Sequence, residues 1–289
     1  MPKQFLSIIA CVFTLNSPLY VAMTITNDHF KVNLDDSTFS NVSEVSEIIT
    51  DVINYWSSII DYAPTNNKVN LSISFSSELS DRTIGSTSMS LYGLQPSQTL
   101  DNNKQYNVVT GAEARLKLGI SSTDSTDFSI TFSSNYNFSY SDTVSSSQVD
   151  FYSVLLHEIT HGMGFVSKST ATGWQDHKTA WDALMNIDYE TYKPGDTISI
   201  GDPNLGLYVY NPETWRDGSS MSHITQESDP DAVMNYSIGN GVTKRTLSTG
   251  ELALLQEMGW KLNTIPEPST TILSLLAFTA MMLRRKRTV

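Results

Sequence analysis

The stretch "HEITHGMGF", residues 157–165, decides how the rest of the chain is interpreted. On an α-helix, positions i and i+4 lie on one face, so His157 and His161 can point at one metal ion. Imidazole nitrogen suits zinc, and Glu158 points to a different side, where it can take a proton from a water molecule that the metal activates. The pattern therefore predicts a metal-binding helix. The alternative is a solvated helix that carries two histidines without a metal.

A third ligand has to come from elsewhere, because a catalytic zinc ion wants three protein ligands and one open position. A common zinc-protease signature has another His six residues after the second one, and Ser167 stands there. His29, before the first predicted helix, is predicted to lie at the surface. His177 lies in the polar loop "GWQDHKT" and is predicted to be solvated. His223 lies in "GSSMSHI" and is followed eleven residues later by Met234 in "DAVMNYS".

These segments together resemble the metzincin metallopeptidases, and more closely their leishmanolysin-like branch. In that branch an inserted segment places the third His far downstream, and the position of His223 is similar. The resemblance covers about residues 127–260, including "LSTGELALLQEMGW" (247–260), which looks like the helix after the Met-turn in such exported bacterial enzymes. It implies a zinc metalloendopeptidase (EC 3.4.24 type) that hydrolyses peptide bonds by Glu-assisted attack of a zinc-bound water. Ser167 departs from the compact metzincin motif and makes His223 essential.

The resemblance also implies a role for each residue of the site. The zinc ligands and the general base would be His157, His161, His223 and Glu158. Gly164 would turn the chain out of the helix toward the metal, and Met234 would form an apolar floor beneath it. Tyr236 would place a phenol near the oxyanion of the tetrahedral intermediate. The alternatives are that Met234 is an ordinary core residue and that Tyr236 is a packed tyrosine.

Residues 1–22 read as a secretory signal peptide. Lys3 precedes an apolar run from Phe5 to Phe13, with a cleavage point near Ala22. A short N-terminal core strand is the alternative, and "IIAC" also resembles a lipoprotein box at Cys11, the only cysteine of the chain. An exported protein without a disulfide must depend on its core and on any metal that it binds.

The end of the chain, residues 264–289, has a three-part order. "IPEPST" (265–270) precedes the apolar run 271–283, and the basic "RRKR" follows. This order resembles the PEP-CTERM sorting signal of Gram-negative bacteria. The resemblance implies export across the inner membrane, transient anchoring through residues 271–283, and cleavage by an exosortase-type enzyme. The protein would then remain at the cell surface or in the extracellular matrix. An ordinary C-terminal membrane anchor is the alternative.

Hydrophobic periodicity in residues 23–263 predicts a mixed pattern of strands and helices. Strands are predicted at 30–34, 69–75 and 128–132, and an amphipathic helix is predicted from a capping box at Asn41 and Glu44. A short helix is predicted at 112–118, the histidine helix from 148–150 to Gly162 and Gly164, and a last helix from a capping box at Ser248 and Glu251 to Gly259. Residues 76–126 otherwise give no clear pattern. The Ser/Thr/Asn-rich stretch 121–147 is predicted to pack because of its aromatic residues.

These elements predict an α+β fold. Following the metzincin resemblance, we expect a two-part catalytic domain, with a twisted mixed sheet and the active-site helix above the cleft, and a mostly irregular or helical lower part with the Met-turn. Trp181 and Asp182, in the inserted segment, are expected to help shape the cleft.

A net charge of −12 argues against a nucleic-acid partner, so a protein or peptide substrate is expected. The alternatives to an endopeptidase are a non-catalytic surface or matrix protein with a structural zinc site, and a zinc hydrolase acting on a wall or matrix polymer.

Overall fold

The structure is a computed structural model, and its described residues are 23–35, 38, 41–80, 82–120, 126–173, 177–188 and 190–263. The predicted signal peptide (1–22) and sorting tail (264–289) lie outside these ranges, as does the predicted membrane segment 271–283. Within the described part of the chain, no helix is both long and apolar enough to cross a membrane.

A five-stranded mixed sheet forms the centre of the fold. In chain order the strands are β1 (Met23–Thr26), β2 (Phe30–Leu34), β3 (Val69–Ser76), β4 (Gly85–Met89), β5 (Leu91–Thr99), β6 (Gln105–Thr110), β7 (Phe128–Ser133), β8 (Phe138–Ser139) and β9 (Val149–Asp150). The central sheet has the order β1-β2-β3-β7-β4, in which β2, β3 and β7 are parallel and the outer strands β1 and β4 are antiparallel to their neighbours. Strands β5 and β6 form an antiparallel pair, and β8 and β9 a short parallel pair.

Within the described residues, five α-helices accompany the sheet: α1 (Val42–Ile59), α2 (Gly111–Leu116), α3 (Phe151–Gly162), α4 (Ala180–Leu184) and α5 (Thr249–Glu257). The three strands predicted from apolar alternation correspond to β2, β3 and β7, and the predicted helices correspond to α1, α2, α3 and α5. The described chain is therefore a mixed α+β fold, as predicted.

Helix α1 buries the predicted apolar face, including Val45, Ile49, Val52 and Trp56. Its predicted capping box is wrong, because the N-cap residue Asn41 makes no side-chain capping hydrogen bond. The capping box of α5 is confirmed. The Ser248 hydroxyl accepts from the Glu251 backbone N–H, and the Glu251 carboxylate accepts from the Ser248 backbone N–H.

Strands β4, β5 and β6 were not predicted from the sequence. Strand β4 has the sequence "GSTSM", in which small hydroxyl residues replace the usual alternation of large apolar and polar side chains. Such a strand is specified by pairing with β7, a partner about forty residues away along the chain, rather than by its own periodicity. This strand matters for the site because it forms an edge of the sheet.

Helix α3 packs against the sheet through close contacts at its two ends. A Cβ on Gly162 would lie 2.7 Å from the Phe128 ring, so only glycine allows this approach. At the other end Phe151 packs on Phe132, with ring centroids 4.7 Å apart, and on Phe138, at 5.5 Å. Phe138 belongs to the Ser/Thr/Asn-rich stretch 121–147 and is buried, so the part around it packs as predicted, whereas residues 141–143 and 145–147 are exposed.

The chain from residue 166 to residue 248 is largely irregular where it is described. Helix α4 and a 3-10 turn at Pro203–Leu205 are its regular elements, and isolated bridges such as Val209 with Ile224 and Ile224 with Asn235 connect its segments. This region is nevertheless well packed, because its buried residues, which include Trp181, Ile200, Met221 and Met234, belong to the same hydrophobic core as those of the sheet. It carries His223 and forms the side of the cleft opposite β4.

Candidate metal centre

Helix α3 presents the pair of histidines as the motif predicts. His161 is buried and His157 is half-buried, and their ring centroids lie 4.7 Å apart at an interplanar angle of 87°. Glu158 is also buried but is directed toward strand β4, where Thr87 contacts its carboxylate. The helix therefore presents two imidazoles and one carboxylate to a single cleft.

Gly164 lies two residues after Gly162, the last residue of helix α3. Its φ of +121° lies in the region that favours glycine. The turn brings the Phe165 carbonyl back to the helix, where it accepts a hydrogen bond of 2.6 Å from Nδ1 of His161. A Cβ at position 164 would also lie 3.2 Å from Cδ of Glu113. Gly164 thus sets the orientation of one histidine ring, which explains its place in the motif.

His223 comes from a loop 62 positions after His161 and reaches the same point in space. Its backbone carbonyl accepts from the Tyr210 N–H at 2.8 Å, and the neighbouring Ile224 N–H donates to the Met234 carbonyl at 2.8 Å. These two bonds join the loop to strand-like segments on both sides. The ring is buried, and its Nδ1 lies 2.7 Å from the Ser219 carbonyl.

The three Nε2 atoms converge. Nε2 of His223 lies 3.2 Å from Nε2 of His161 and 3.2 Å from Nε2 of His157. The ligand atoms of the three residues all lie within 4.8 Å of one another. Two nitrogens of a tetrahedral zinc site, each about 2.0–2.1 Å from the metal, are about 3.3 Å apart. The observed separations therefore match those of a three-histidine metal site.

Hydrogen bonds select the histidine tautomer that binds a metal. Each Nδ1 faces a backbone carbonyl: Val233 at 2.8 Å for His157, Phe165 for His161 and Ser219 for His223. A carbonyl oxygen can only accept, so each Nδ1 carries the proton and each Nε2 of a neutral ring presents a lone pair to the others. Burial lowers the pKa of His157 to about 4 and that of His223 to about 3, so a proton does not readily take the place of a metal ion.

Glu158 occupies a pocket that the edge strand builds around its carboxylate. The Thr87 hydroxyl donates to Oε2 at 2.7 Å and also lies 2.9 Å from the Glu158 carbonyl. Burial raises the pKa of Glu158 to about 7, and the hydrogen bond from Thr87 opposes this rise. A Cβ on Gly85 would lie 2.8 Å from Oε1. The absence of a side chain at Gly85 therefore lets the Glu158 carboxylate pack directly against β4.

Met234 lies in a fully buried turn next to the site. Its backbone N–H donates to Oε1 of Glu251 at 2.7 Å, and its neighbour Val233 supplies the carbonyl that accepts from His157. Burial raises the pKa of Glu251 to about 7, while backbone hydrogen bonds from Ser248, Met234 and Val233 oppose the rise. The capping-box glutamate of α5 thus also holds the turn that orients a candidate ligand.

Tyr236 lines the cleft and is 40% exposed. Its ring stacks on Tyr210, with centroids 3.9 Å apart and an interplanar angle of 12°. Tyr236 is therefore not a buried core tyrosine. It belongs to the lining segment 235–238, within the same cleft as Glu158.

A cleft of about 680 Å³ opens beside the three histidines. Its lining includes residues 82–87 and Met89, at the edge strand β4. It also includes residues 217–220, 233 and 235–238, with Trp215 and Lys244. The histidines and Glu158 line the same cleft, where a bound molecule could contact both segments.

The structure brings together His157, Glu158, His161 and His223, with Gly164 and Met234 beside them. His177 is exposed, as predicted. The prediction for His29 is wrong, because this residue is 4% exposed and its Nε2 lies 2.8 Å from the Tyr62 carbonyl. Trp181 and Asp182 are fully buried and are not among the residues that line the cleft, so any effect they have on its shape is exerted through their neighbours.

Several residues of the site were not found from the sequence. Gly85 and Thr87 lie on the unpredicted strand β4, so no signal marked them as neighbours of Glu158. The sequence assigned Glu251 only to the capping box of α5, so its hydrogen bond with the Met234 turn was not expected. The carbonyls that orient the histidines belong to the backbone, and residue type carries no information about them.

The described fold and site define a mixed α+β protein with a three-histidine candidate metal centre. The chain belongs to the SPBPB7E8-like family, whose model matches residues 22–194, more than half of the chain. The matched residues contain α3 with His157, Glu158 and His161, and they end before His223. Searches of the curated proteins and of the solved structures found no match.

Replacing Glu251 by Gln should weaken metal binding although this residue touches no ligand. The amide would turn a donor toward one of the backbone N–H groups that the carboxylate accepts from, loosening the turn that orients His157. Changes in residues that orient a ligand typically cost about 10–100-fold in metal affinity, and we expect a Zn²⁺ affinity loss of that order. Competition with a chromophoric chelator measures it.

Glu257→Gln is the matched control, because Glu257 lies on the same helix and accepts from the Asp202 backbone N–H, away from the site. It should leave Zn²⁺ affinity unchanged. Equal affinities in the wild-type protein and the Glu251→Gln variant would show that the turn does not depend on this carboxylate.

Proposed function

We propose that this protein is a zinc-dependent endopeptidase with a metzincin-like, two-part catalytic domain and a leishmanolysin-like arrangement of the third ligand. The observation that carries the proposal is the convergence of three histidine Nε2 atoms in a cleft that also holds the buried carboxylate of Glu158. The two parts would be the sheet with α1 and α3, and the irregular region with His223, the turn at Met234 and helix α5.

The donor set fits zinc. Three neutral imidazoles with lone pairs facing one another, at 3.2 Å for two of the pairs, suit a tetrahedral ion that keeps one position open. When bound, zinc would polarise the substrate carbonyl and lower the pKa of a water molecule. His157, His161 and His223 would hold the ion, and the carbonyls at their Nδ1 atoms would keep the rings oriented.

Glu158 would move the proton. Thr87 donates to Oε2, while Oε1 accepts no hydrogen bond from the described residues, and Glu158 lines the cleft. We therefore assign to Oε1 the transfer of a proton from the attacking water to the leaving amine. A pKa near 7, raised by burial, is well matched to a group that both accepts and donates a proton near neutral pH.

The edge strand supports a peptide as the substrate. Strand β4 pairs with β7 on one side, lies at the end of the five-stranded order and contributes to the cleft wall. A strand edge offers backbone N–H and C=O groups to which an extended peptide can add as a further strand. Its alternate residues Ser86 and Ser88 are exposed and small, so the backbone of a bound peptide could approach closely.

Tyr236 would assist from the opposite wall. Stacking on Tyr210 holds its ring, and its hydroxyl could donate a hydrogen bond to the oxyanion that forms when the carbonyl is attacked.

Export by the signal peptide 1–22 and processing of the PEP-CTERM-like tail by an exosortase-type enzyme remain predictions from the sequence, because both segments lie outside the described residues.

The proposal is tested by incubating the purified protein with unfolded casein. We expect casein fragments, their loss after treatment with 1,10-phenanthroline, and their return after Zn²⁺ is added back. Cleavage that survives complete removal of metal would contradict the proposal. Zinc-loaded protein that leaves casein intact would favour a structural zinc site, or a hydrolase for a wall or matrix polymer if such a polymer is degraded.

A further inference from the structure

Ser167 stands where the compact motif has its third histidine, and it has a different task in this chain. Its hydroxyl donates to Oδ1 of Asp182 at 2.6 Å. Its backbone N–H donates to the hydroxyl of Ser222 at 3.0 Å. Ser222 directly precedes the ligand His223. The residue that replaces a local ligand is therefore bonded to the neighbour of the distant one.

Asp182 is the centre of this arrangement. Its side chain is fully buried and accepts hydrogen bonds from Ser167 Oγ, from the Lys168 backbone N–H at 3.0 Å, and from the backbone N–H and hydroxyl of Thr179 at 3.0 and 2.9 Å. A buried carboxylate is costly unless it is well hydrogen-bonded, and these four bonds offset that cost. Asp182 thus ties helix α4 to the chain that leaves α3.

The residue beside Asp182 makes a second connection to the same loop. Trp181 donates from Nε1 to the Met221 carbonyl at 2.7 Å, and its ring packs on Phe165 with centroids 4.8 Å apart. Met221 has a φ of +69°, a conformation that a non-glycine residue adopts only when its surroundings hold it there. Helix α4 therefore contacts both the segment after α3 and the segment before His223.

We propose that Asp182 is a positioning residue that, through Ser167 and Ser222, holds the His223 loop at the metal centre. A ligand six residues from the helix would be held by its short covalent connection. A ligand 62 positions away has to be ordered by other bonds. Without them, the entropy lost on closing a long loop would weaken metal binding. The inference rests on the three-histidine centre and does not require that the protein hydrolyse peptides.

The test measures Zn²⁺ affinity of the full protein by chelator competition for Ser167→Ala, Ser222→Ala and Asp182→Asn. We expect about tenfold weaker binding in each, in line with other residues that orient metal ligands. Co²⁺-loaded samples should also show a changed visible spectrum, because the position of one imidazole changes. Ser167→Thr keeps the hydroxyl and should restore both the affinity and the spectrum.

Asp188→Asn is the matched control, since Asp188 lies in the same inserted segment but is exposed and bonds within its own turn. It should bind Zn²⁺ as the wild type does. Thermal unfolding of the metal-free variants separates positioning from loss of the fold. If Asp182→Asn does not fold, the two serine variants, which remove one bond each, carry the test.

The double variant Asp182→Asn with Ser222→Ala distinguishes one connected path from two separate defects. Residues of one hydrogen-bonded path give non-additive effects. The Zn²⁺ affinity of the double variant should therefore be about that of the single variant with the lower affinity. Unchanged affinity in the folded single variants, or fully additive losses in the double variant, would overturn the proposal. Absence of casein cleavage by the wild type would count against the proposed function alone.

Discussion

The Glu158→Gln variant is expected to bind zinc as the wild type does and to lose peptide hydrolysis. The amide has the shape of the carboxylate, and its oxygen can still accept from Thr87. Its NH₂ group would then lie beside Gly85, where it cannot take a proton from water. Loss of a general base typically costs a factor of about 10²–10⁴ in rate, and we expect kcat to fall by that order or more.

Two measurements on one preparation check this prediction. Atomic absorption should find the same zinc content as in the wild type, and cleavage of a quenched fluorescent peptide should give the lower kcat. The exposed Glu213→Gln is the control and should change neither value. Unchanged turnover in Glu158→Gln would mean that another residue is the general base. It would also favour the alternatives in which the protein is not a peptidase.

The His223→Ala variant is expected to lose most bound zinc together with all proteolysis. The helix supplies only two ligands, and no residue of the compact motif remains to provide a third, because Ser167 is bonded to Asp182. Substitution of a residue that only orients a ligand typically costs about 10–100-fold in metal affinity. Removal of the ligand itself should therefore cost at least the upper end of that range.

His177→Ala serves as the paired control, since His177 is exposed and lies outside the three-histidine centre. Zinc content and casein cleavage should both stay near the wild-type values in this variant. Full metal retention in His223→Ala, or metal loss in His177→Ala, would mean that the third ligand has been assigned to the wrong residue.

The parts of the fold that could be predicted are those with a local signal. Apolar alternation marked β2, β3 and β7, and a one-sided apolar face marked α1. The capping box at Ser248 identified α5 to within a residue. A similar pattern at Asn41 failed as a cap although the helix itself is there, because the helix depends on burial of its apolar face rather than on its first turn.

What could not be predicted depends on partners that are distant in the sequence. Strand β4 has no apolar periodicity and owes its place to β7, so its contacts with Glu158 were invisible. His29 was expected at the surface because it precedes the first predicted helix. The backbone carbonyl of Tyr62, 33 positions away, gives its ring a buried hydrogen-bond partner. His223 could be assigned only through the leishmanolysin-like resemblance, since no spacing rule connects residues 62 positions apart.

Because three imidazole lone pairs converge, the stability of the fold would also depend on the concentration of free metal. Neutral rings at 3.2 Å repel one another when nothing lies between them, and a cation that binds only the folded chain removes this repulsion. By mass action, a free metal concentration about a thousand times the Kd adds about 4 kcal/mol to the free energy of unfolding. The thermal resistance of a metal-loaded protein would therefore follow the metal content of its surroundings, so that a chelating environment would empty the three-histidine centre and lower the free energy of unfolding in the same step.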